Sequence, residues 1–444
     1  MKPSPLRTLF ALRSHGQSRA VIERFRLRRL RHLLAHAYDR VPYYRRLFDA
    51  AGMTPADVRS IGDLRHLPVT TRETLQQLDA DEILARGVDP KRLLATSSSG
   101  SSGRPITIRR TWAEARLLGT IRVRAFRDFG LRPRDRVVGV RTQSVTKRTG
   151  LGAGARLLAA LRRDRWQAVD AGLPADEILD LVAALGADVL NGYSGQLALL
   201  ATEADPARLR ALAPRFVTAG GEALDPVQRG RIEEAFGVPL YETYASVEFD
   251  VLAAQCPAAA GEGGPYYHVM DDGLVLELGG EGAEGETGEV IGTCLHAWAM
   301  PLIRYAQGDV VRRGGACPCG SAWSTLRAIE GRVLDFFVRP DGSWIHPYEI
   351  FIPVRERCPW IQRFQAIQRA PAEIALRIEP ARAPTKGELD TLRATFAARF
   401  SDRATLAVEL VERLDAGPGK FQQYRSLARA QPGRALPGDV SSQG

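Results

Sequence analysis

Hydrophobic and polar positions follow two different periods along this chain. Residues 19–48, RAVIERFRLRRLRHLLAHAYDRVPYYRRLF, carry apolar side chains at helical spacing. Val21, Phe25, Leu27, Leu30, Leu33 and Leu34 predict the buried side, and the arginines predict a solvated one. Pro42 predicts the end of that helix. From about residue 90 to 300 the period alternates. Short apolar runs, RVVGV (136–140), DVLNGY (188–193) and RFVTAGG (215–221), read as strands between helical stretches. One such stretch, 171–187, has Asp176 as its predicted N-cap and Gly186 at its stop. Strand–helix alternation predicts an α/β fold with mixed or parallel sheets flanked by helices. In such sheets ligands sit beyond the carboxyl ends of the strands.

The texture changes after about 330. VLDFFVRPDGSWIHPYEI (333–350) predicts a hairpin turning at Pro-Asp-Gly. Strand, helix and strand signals follow: FQAIQ, GELDTLRATFAARF and LAVELVERL. We therefore expect a large N-terminal domain over 1–330, a small α+β domain over 331–430, and a frayed tail over 431–444.

Composition narrows the class. The chain has 444 residues, 45% hydrophobic and 25% charged, as in a globular protein. Net charge is +10, but of 61 basic residues only five are lysine: Lys2, Lys91, Lys147, Lys386 and Lys420. An arginine bias of this kind reflects genome composition more than nucleic-acid binding, and a basic surface also suits anionic small molecules. Five cysteines, an odd number, speak against a disulfide framework and for a reducing cytoplasm. No apolar run is long enough to predict a membrane span.

Residues 96–105, TSSSGSSGRP, are too small and polar to pack, and read alone as either a linker or an anion cradle. Apolar–polar alternation begins at once in Ile106-Thr107-Ile108, which a linker would not normally do. Four further stretches follow in order: TAGGEALDP (218–226), YETYASVEF (241–249), PLIRYAQGDV (301–310) with EGRVLDFF (330–337), and GPGKFQQ (417–423). Together they resemble the adenylate-forming superfamily of acyl- and aryl-CoA synthetases. The phrases VPYYRRLF and LRHLPVTTRETL (64–75), with the Pro-Asp-Gly hairpin, are similar to its phenylacetate–CoA ligase-like branch.

That resemblance implies roles position by position. Ser98, Ser99, Gly100, Ser101, Ser102 and Gly103 match the loop around the β- and γ-phosphates of ATP, and Arg104 keeps a positive charge where lysine is common. Gly220, Gly221 and Glu222 match the segment flanking adenine, Glu242 the acceptor for its amino group, and Tyr244 the residue stacked on the base. Glu248 matches the Mg²⁺ ligand, Asp309 the ribose-binding aspartate, and Arg332 the arginine beside it. Lys420 matches the lysine that bridges the acyl carboxylate and α-phosphate. Tyr193, Ser194, Ala219, Gly220 and Ala245 line the implied acid pocket, which the segment 140–154 borders. Arg141, Lys147 and Arg148 are read there either as partners for a second acidic group on the substrate or as surface residues. The small domain is implied to move as a lid.

The implied reaction is ATP-dependent activation of a carboxylic acid, aromatic by resemblance, followed by transfer to CoA. Three departures matter and keep alternatives open. Val247 stands where a hydroxyl is usual, Ala245 replaces a glycine and shortens the implied acid pocket, and Leu334 replaces the usual hinge Asp or Lys. The acyl group then passes to an amine or carrier protein, or AMP stays on the product; a degenerate nucleotide- or nucleic-acid-binding protein is the remaining reading, and a homodimer is admitted. Cys256, His268, Cys317 and Cys319 supply three thiols and an imidazole, a set suited to structural Zn²⁺. Cys294 and Cys358 read as core residues.

Overall fold

The chain is described from a computed structural model. The structure describes residues 16–97, 106–141, 165–222, 224, 226–259, 265–279, 287–332, 337–345, 347–414 and 423–428.

The amphipathic N-terminal segment forms two helices, α1 (Arg19–Arg40) and α2 (Pro42–Ala50). Pro42 ends the first and opens the second, because a missing N–H and a fixed φ suit the first helical turn. The buried face differs from the expected one. Val21 and Leu27 are only half-buried, whereas Arg26 and Arg29 lie in the core with Ile22, Phe25, Leu30, Leu33 and Leu34. Arg26 reaches Asp271 at 3.4 Å, and Arg29 donates to the Leu295 carbonyl at 3.0 Å while stacking on Trp298. Paired in this way, two arginines occupy positions the apolar pattern had reserved for leucine and valine.

An eleven-stranded mixed sheet organises the large domain. Its parallel part runs, across the sheet, Trp166–Asp170, Val137–Arg141, Val189–Tyr193, Phe216–Gly220 and Leu240–Ser246. Six antiparallel strands continue it through Asp250–Gln255, Tyr267–Val269, Thr325–Arg332, Tyr305–Arg313, Thr287–Cys294 and Leu274–Gly279. The parallel strands alternate between two cores. Val138, Val140, Leu190, Val217 and Leu240 face the helices Ala175–Leu185, Ser194–Glu203 and Pro226–Phe236. Val137, Val189, Phe216 and Tyr241 face α3 (Trp112–Asp128) and the N-terminal helices. Each buried aliphatic side chain contributes about 1.5–3 kcal/mol. The helix after Pro174 ends on Gly186 at φ 61°, as its sequence predicts, but its N-cap is Pro174. Asp176 sits in the first turn and pairs with Arg208.

Residues from 337 onward build their own core around Phe337, Phe351, Trp360, Phe364 and Phe396. Phe337–Val338 and Trp344–Ile345 form the hairpin expected around Pro-Asp-Gly, with Gly342 at φ 82°. A four-stranded sheet follows, ordered Thr405–Leu410, Glu373–Pro380, Ile361–Ala370, Tyr424–Ser426. The strand Glu373–Pro380 and the helix Pro347–Arg357 are additional to the sequence expectation. Among the described residues no helix is long and apolar enough to cross a membrane.

Candidate functional site

The Ser/Gly stretch connects two antiparallel strands, Leu94–Ser97 and Thr107–Arg110, and Ser97 opposes Thr107 with their hydroxyls 3.2 Å apart. Ser98, Ser99, Gly100, Ser101, Ser102, Gly103 and Arg104 lie outside the described residues.

Three parallel strands, Val189–Tyr193, Phe216–Gly220 and Leu240–Ser246, lie side by side in sequence order. Gly220 ends its strand opposite Thr243, and a Cβ there would lie 2.6 Å from the Thr243 carbonyl. Glycine is required because the backbones approach too closely for any side chain. Gly221 then turns with φ 75° and delivers Glu222 to the start of the helix Ser194–Glu203. Glu222 Oε2 accepts from the Gly195 N–H at 2.9 Å, and Ser194 Oγ donates to the Glu222 carbonyl at 3.0 Å. A carboxylate on a helix N-terminus fits the dipole. Tyr193, Ser194, Ala219, Gly220, Gly221 and Glu222 are therefore one local unit. Burial pushes the Tyr193 phenol up; the charge of Arg141 opposes this and that of Glu222 adds to it.

The next strand, Leu240–Ser246, carries Glu242, Tyr244 and Ala245. Tyr244 Oη donates to Asp309 Oδ2 at 2.7 Å, joining motifs 65 residues apart. Gln307 Nε2 donates to the same oxygen at 2.7 Å. Asp309 also opposes Arg332 in backbone register. Behind it, Glu289 accepts from the Gly308 N–H at 3.1 Å; burial pushes this carboxyl up, and the Asp309 charge adds to the shift. Glu242, expected against the adenine amino group, has Oε2 accepting from Tyr267 Oη at 2.6 Å and from Arg229. Glu248 is buried, and its carbonyl accepts from Arg110 Nη2. Val247 and Ala245 pack against the large core. Gln307, Glu289, Arg229, Tyr267 and Arg110 were not singled out from sequence. Only Gln307 had a local signal, since two residues before Asp309 on a strand puts it on the same face.

The phrase LRHLPVT meets RYAQGD directly. The Thr70 N–H donates to the Arg304 carbonyl at 2.8 Å, the Thr70 carbonyl accepts from the Ala306 N–H at 3.0 Å, and Arg304 Nη1 donates to the Arg65 carbonyl at 3.0 Å. Lys420 and Leu334 lie outside the described residues. Three positions after Lys420, Gln423 Oε1 accepts from Gln228 Nε2 of the large domain at 3.4 Å.

No protein-family model matches the chain. A phenylacetate–coenzyme A ligase of Thermus thermophilus is 26% identical over 324 residues, covering 70% of each chain. A phenylacetate–coenzyme A ligase of Escherichia coli K12 is 28% identical over 304 residues, covering 66% of this chain and 67% of its own. A 2-hydroxyisobutyryl-CoA ligase in its postadenylation state superposes with a TM-score of 0.75 at 22% identity, over 94% of this chain and 91% of that one. The chain is thus similar to phenylacetate–CoA ligases in sequence and to acyl-CoA ligases in fold. The same 2-hydroxyisobutyryl-CoA ligase in its thioesterification state superposes less well, at 0.62 over the same share of this chain.

The chain also gathers Cys256, His268, Cys317 and Cys319, whose ligand atoms all lie within 4.8 Å of one another. Cys256 follows the strand Asp250–Gln255, and His268 sits on the neighbouring strand Tyr267–Val269. Cys317 and Cys319 occupy a turn that Gly320 closes at φ 77°. Cys319 Sγ and His268 Nε2 are 3.4 Å apart. In a tetrahedral site with bonds of about 2.3 Å, ligand atoms stand about 3.8 Å apart. The four groups need only a small contraction to meet one ion, and they fit a closed site. Cys294 and Cys358 are buried elsewhere in the two cores.

Proposed function

We propose that this protein activates a carboxylic acid with ATP, releasing pyrophosphate, and passes the acyl group to CoA. The observation that carries this reading is the Tyr244–Asp309 contact at 2.7 Å, beside the glycine-tight end of the strand at Gly220. It unites an aromatic face, a carboxylate and an anion-tolerant turn at the carboxyl ends of parallel strands, where nucleotides bind in such folds. The relatives' names agree with the chemistry these groups support.

The reaction needs no protein nucleophile. An oxygen of the acid attacks the α-phosphorus, and pyrophosphate leaves; catalysis is positioning plus neutralisation of phosphate charge. Backbone N–H groups and hydroxyls of 98–103, with Arg104, would hold the departing phosphates. The Tyr244 ring would lie on adenine, and Asp309, oriented by Gln307, would accept from the ribose hydroxyls. Lys420 would bridge the acid and the α-phosphate. Glu248 is the residue to hold Mg²⁺, which supplies charge neutralisation at the phosphates. Cys256, His268, Cys317 and Cys319 would hold a structural Zn²⁺. In the second step the CoA sulfur attacks the acyl carbon and AMP leaves.

ATP–pyrophosphate exchange over aryl and alkyl acids tests the first step. Exchange that depends on added acid is expected, and none with any acid overturns the reading. Lys420→Ala is expected to lower exchange about 10²–10³-fold. Product mass with and without CoA tests the acceptor.

A further inference from the structure

Arg141 ends the parallel strand Val137–Arg141 and folds back over the sheet. A Cβ on Gly139 would lie 2.5 Å from Arg141 Nη2, so the guanidinium occupies space that only glycine leaves open. This side chain is half-buried, and its Nε is enclosed without a hydrogen-bond partner. Its contact with Asn191 Oδ1, at 3.3 Å, is to a neutral group that itself donates to Thr218 Oγ1 at 2.8 Å. Among the described residues no carboxylate lies within ion-pair distance of Arg141. Three arginines on the flanking helices are each paired with a carboxylate: Arg122 with both oxygens of Asp250, Arg229 with Glu242, and Arg124 with Asp272. Burial and the neighbouring Arg122 charge both disfavour the Arg141 cation. An enclosed cation with an unused donor is complementary to an anion that arrives from outside.

Its position says which anion. Alternation puts Arg141, Asn191, Tyr193 and Gly220 on one face of the sheet, and one strand separates the Arg141 strand from that of Gly220. Two interstrand spacings amount to about 9–10 Å. The strand of Tyr244 is one spacing further, about 14 Å away, which is too far for contact with the nucleotide's α-phosphate. Arg141 therefore stands at the far end of the acid pocket from the reacting carboxylate.

We infer that Arg141 recognises a second carboxylate on the substrate, so that the acids activated are dicarboxylic, aryl or alkyl. This rests on the acid-activating reading above, with Gly220 and Ala245 flanking the reacting end. Asn191 fixes the guanidinium plane, and the Arg122–Asp250 pair neutralises the neighbouring charge.

Matched pairs of acids test it: phenylacetate against its three ring-carboxylated forms, hexanoate against adipate, and octanoate against suberate. The wild-type enzyme is expected to favour at least one diacid over its monoacid by about tenfold or more in kcat/KM for pyrophosphate exchange. Arg141→Met, which keeps the apolar stem, is expected to collapse that ratio toward one, and Arg141→Lys to keep part of it. Equilibrium binding of the same diacids, measured calorimetrically without ATP, is expected to weaken by a similar factor in Arg141→Met. Monoacids preferred throughout, with a ratio that Arg141→Met leaves unmoved, would overturn the assignment while acid activation stands. Diacid binding that depends on Arg141, with no exchange on any acid, would uphold the subsite and overturn the activation reading. Neither binding nor exchange overturns both. A purely structural arginine would lower Tm in Arg141→Met and leave the ratio unchanged.

Discussion

At the scale of single residues, the site is a set of carboxylates held in different electrostatic states. Asp309 receives two donors on one oxygen, Tyr244 and Gln307. Glu289, beside it, receives one backbone N–H and is pushed up by burial and by Asp309. A carboxyl raised in the folded state binds its proton more tightly there than in the unfolded chain. Its contribution to stability is therefore greatest at low pH and falls as pH rises through the folded value. Glu289→Gln keeps an acceptor for Gly308 and removes the charge facing Asp309. We expect it to raise Tm at pH 8 and to leave Tm nearly unchanged at pH 4, as read by calorimetry across that range. A rise that is equal at both pH values would show that the charge is not the cause.

At the scale of elements, alternation and capping made most of the parallel strands and their helices legible. The stop at Gly186, the strands around 137–141, 189–193 and 216–220, and the Pro-Asp-Gly hairpin all follow local rules. The buried arginines of α1 did not, because a charged residue enters a core only through partners distant in sequence: Asp271 for Arg26, the Leu295 carbonyl for Arg29. The same limit hid Glu289, Arg229 and Tyr267, which matter only through contacts across the sheet. The cysteine cluster was legible in ligand type but not in geometry, since Cys256 and Cys317 are 61 positions apart and neighbouring strands bring them together. If the cluster holds the turn at 317–320 onto the sheet, protein purified without added metal should carry about one zinc per chain by elemental analysis. Cys256→Ser should lower that occupancy and lower Tm by several degrees, about 2–4 °C for each kcal/mol lost in a domain of 150–250 residues. Full-length protein with well under one zinc, and a Tm indifferent to chelator, would refute the site.

At the scale of the whole molecule, two separately cored parts of the chain touch through Gln228 and Gln423. Gln423 lies three positions after Lys420 and touches Gln228, which sits on the helix Pro226–Phe236 that follows the TAGGE turn. The chain superposes on one ligase at a TM-score of 0.75 in its postadenylation state and 0.62 in its thioesterification state. A contact made in only one disposition stabilises that disposition by its own free energy and no more. The Gln228–Gln423 bond is neutral and long, so its share is about 0.5–1.5 kcal/mol at most, or roughly two- to tenfold in population. Gln228→Ala should then slow acid-dependent pyrophosphate exchange by no more than that factor. The same variant should leave thioester formation from supplied acyl-AMP and CoA at the wild-type rate or slightly above it, because the competing arrangement is no longer disfavoured. Rapid-quench measurement of the two half-reactions separates these outcomes. Equal losses in both would mean that Gln228 supports the fold of the large domain and does not bias the position of the small one.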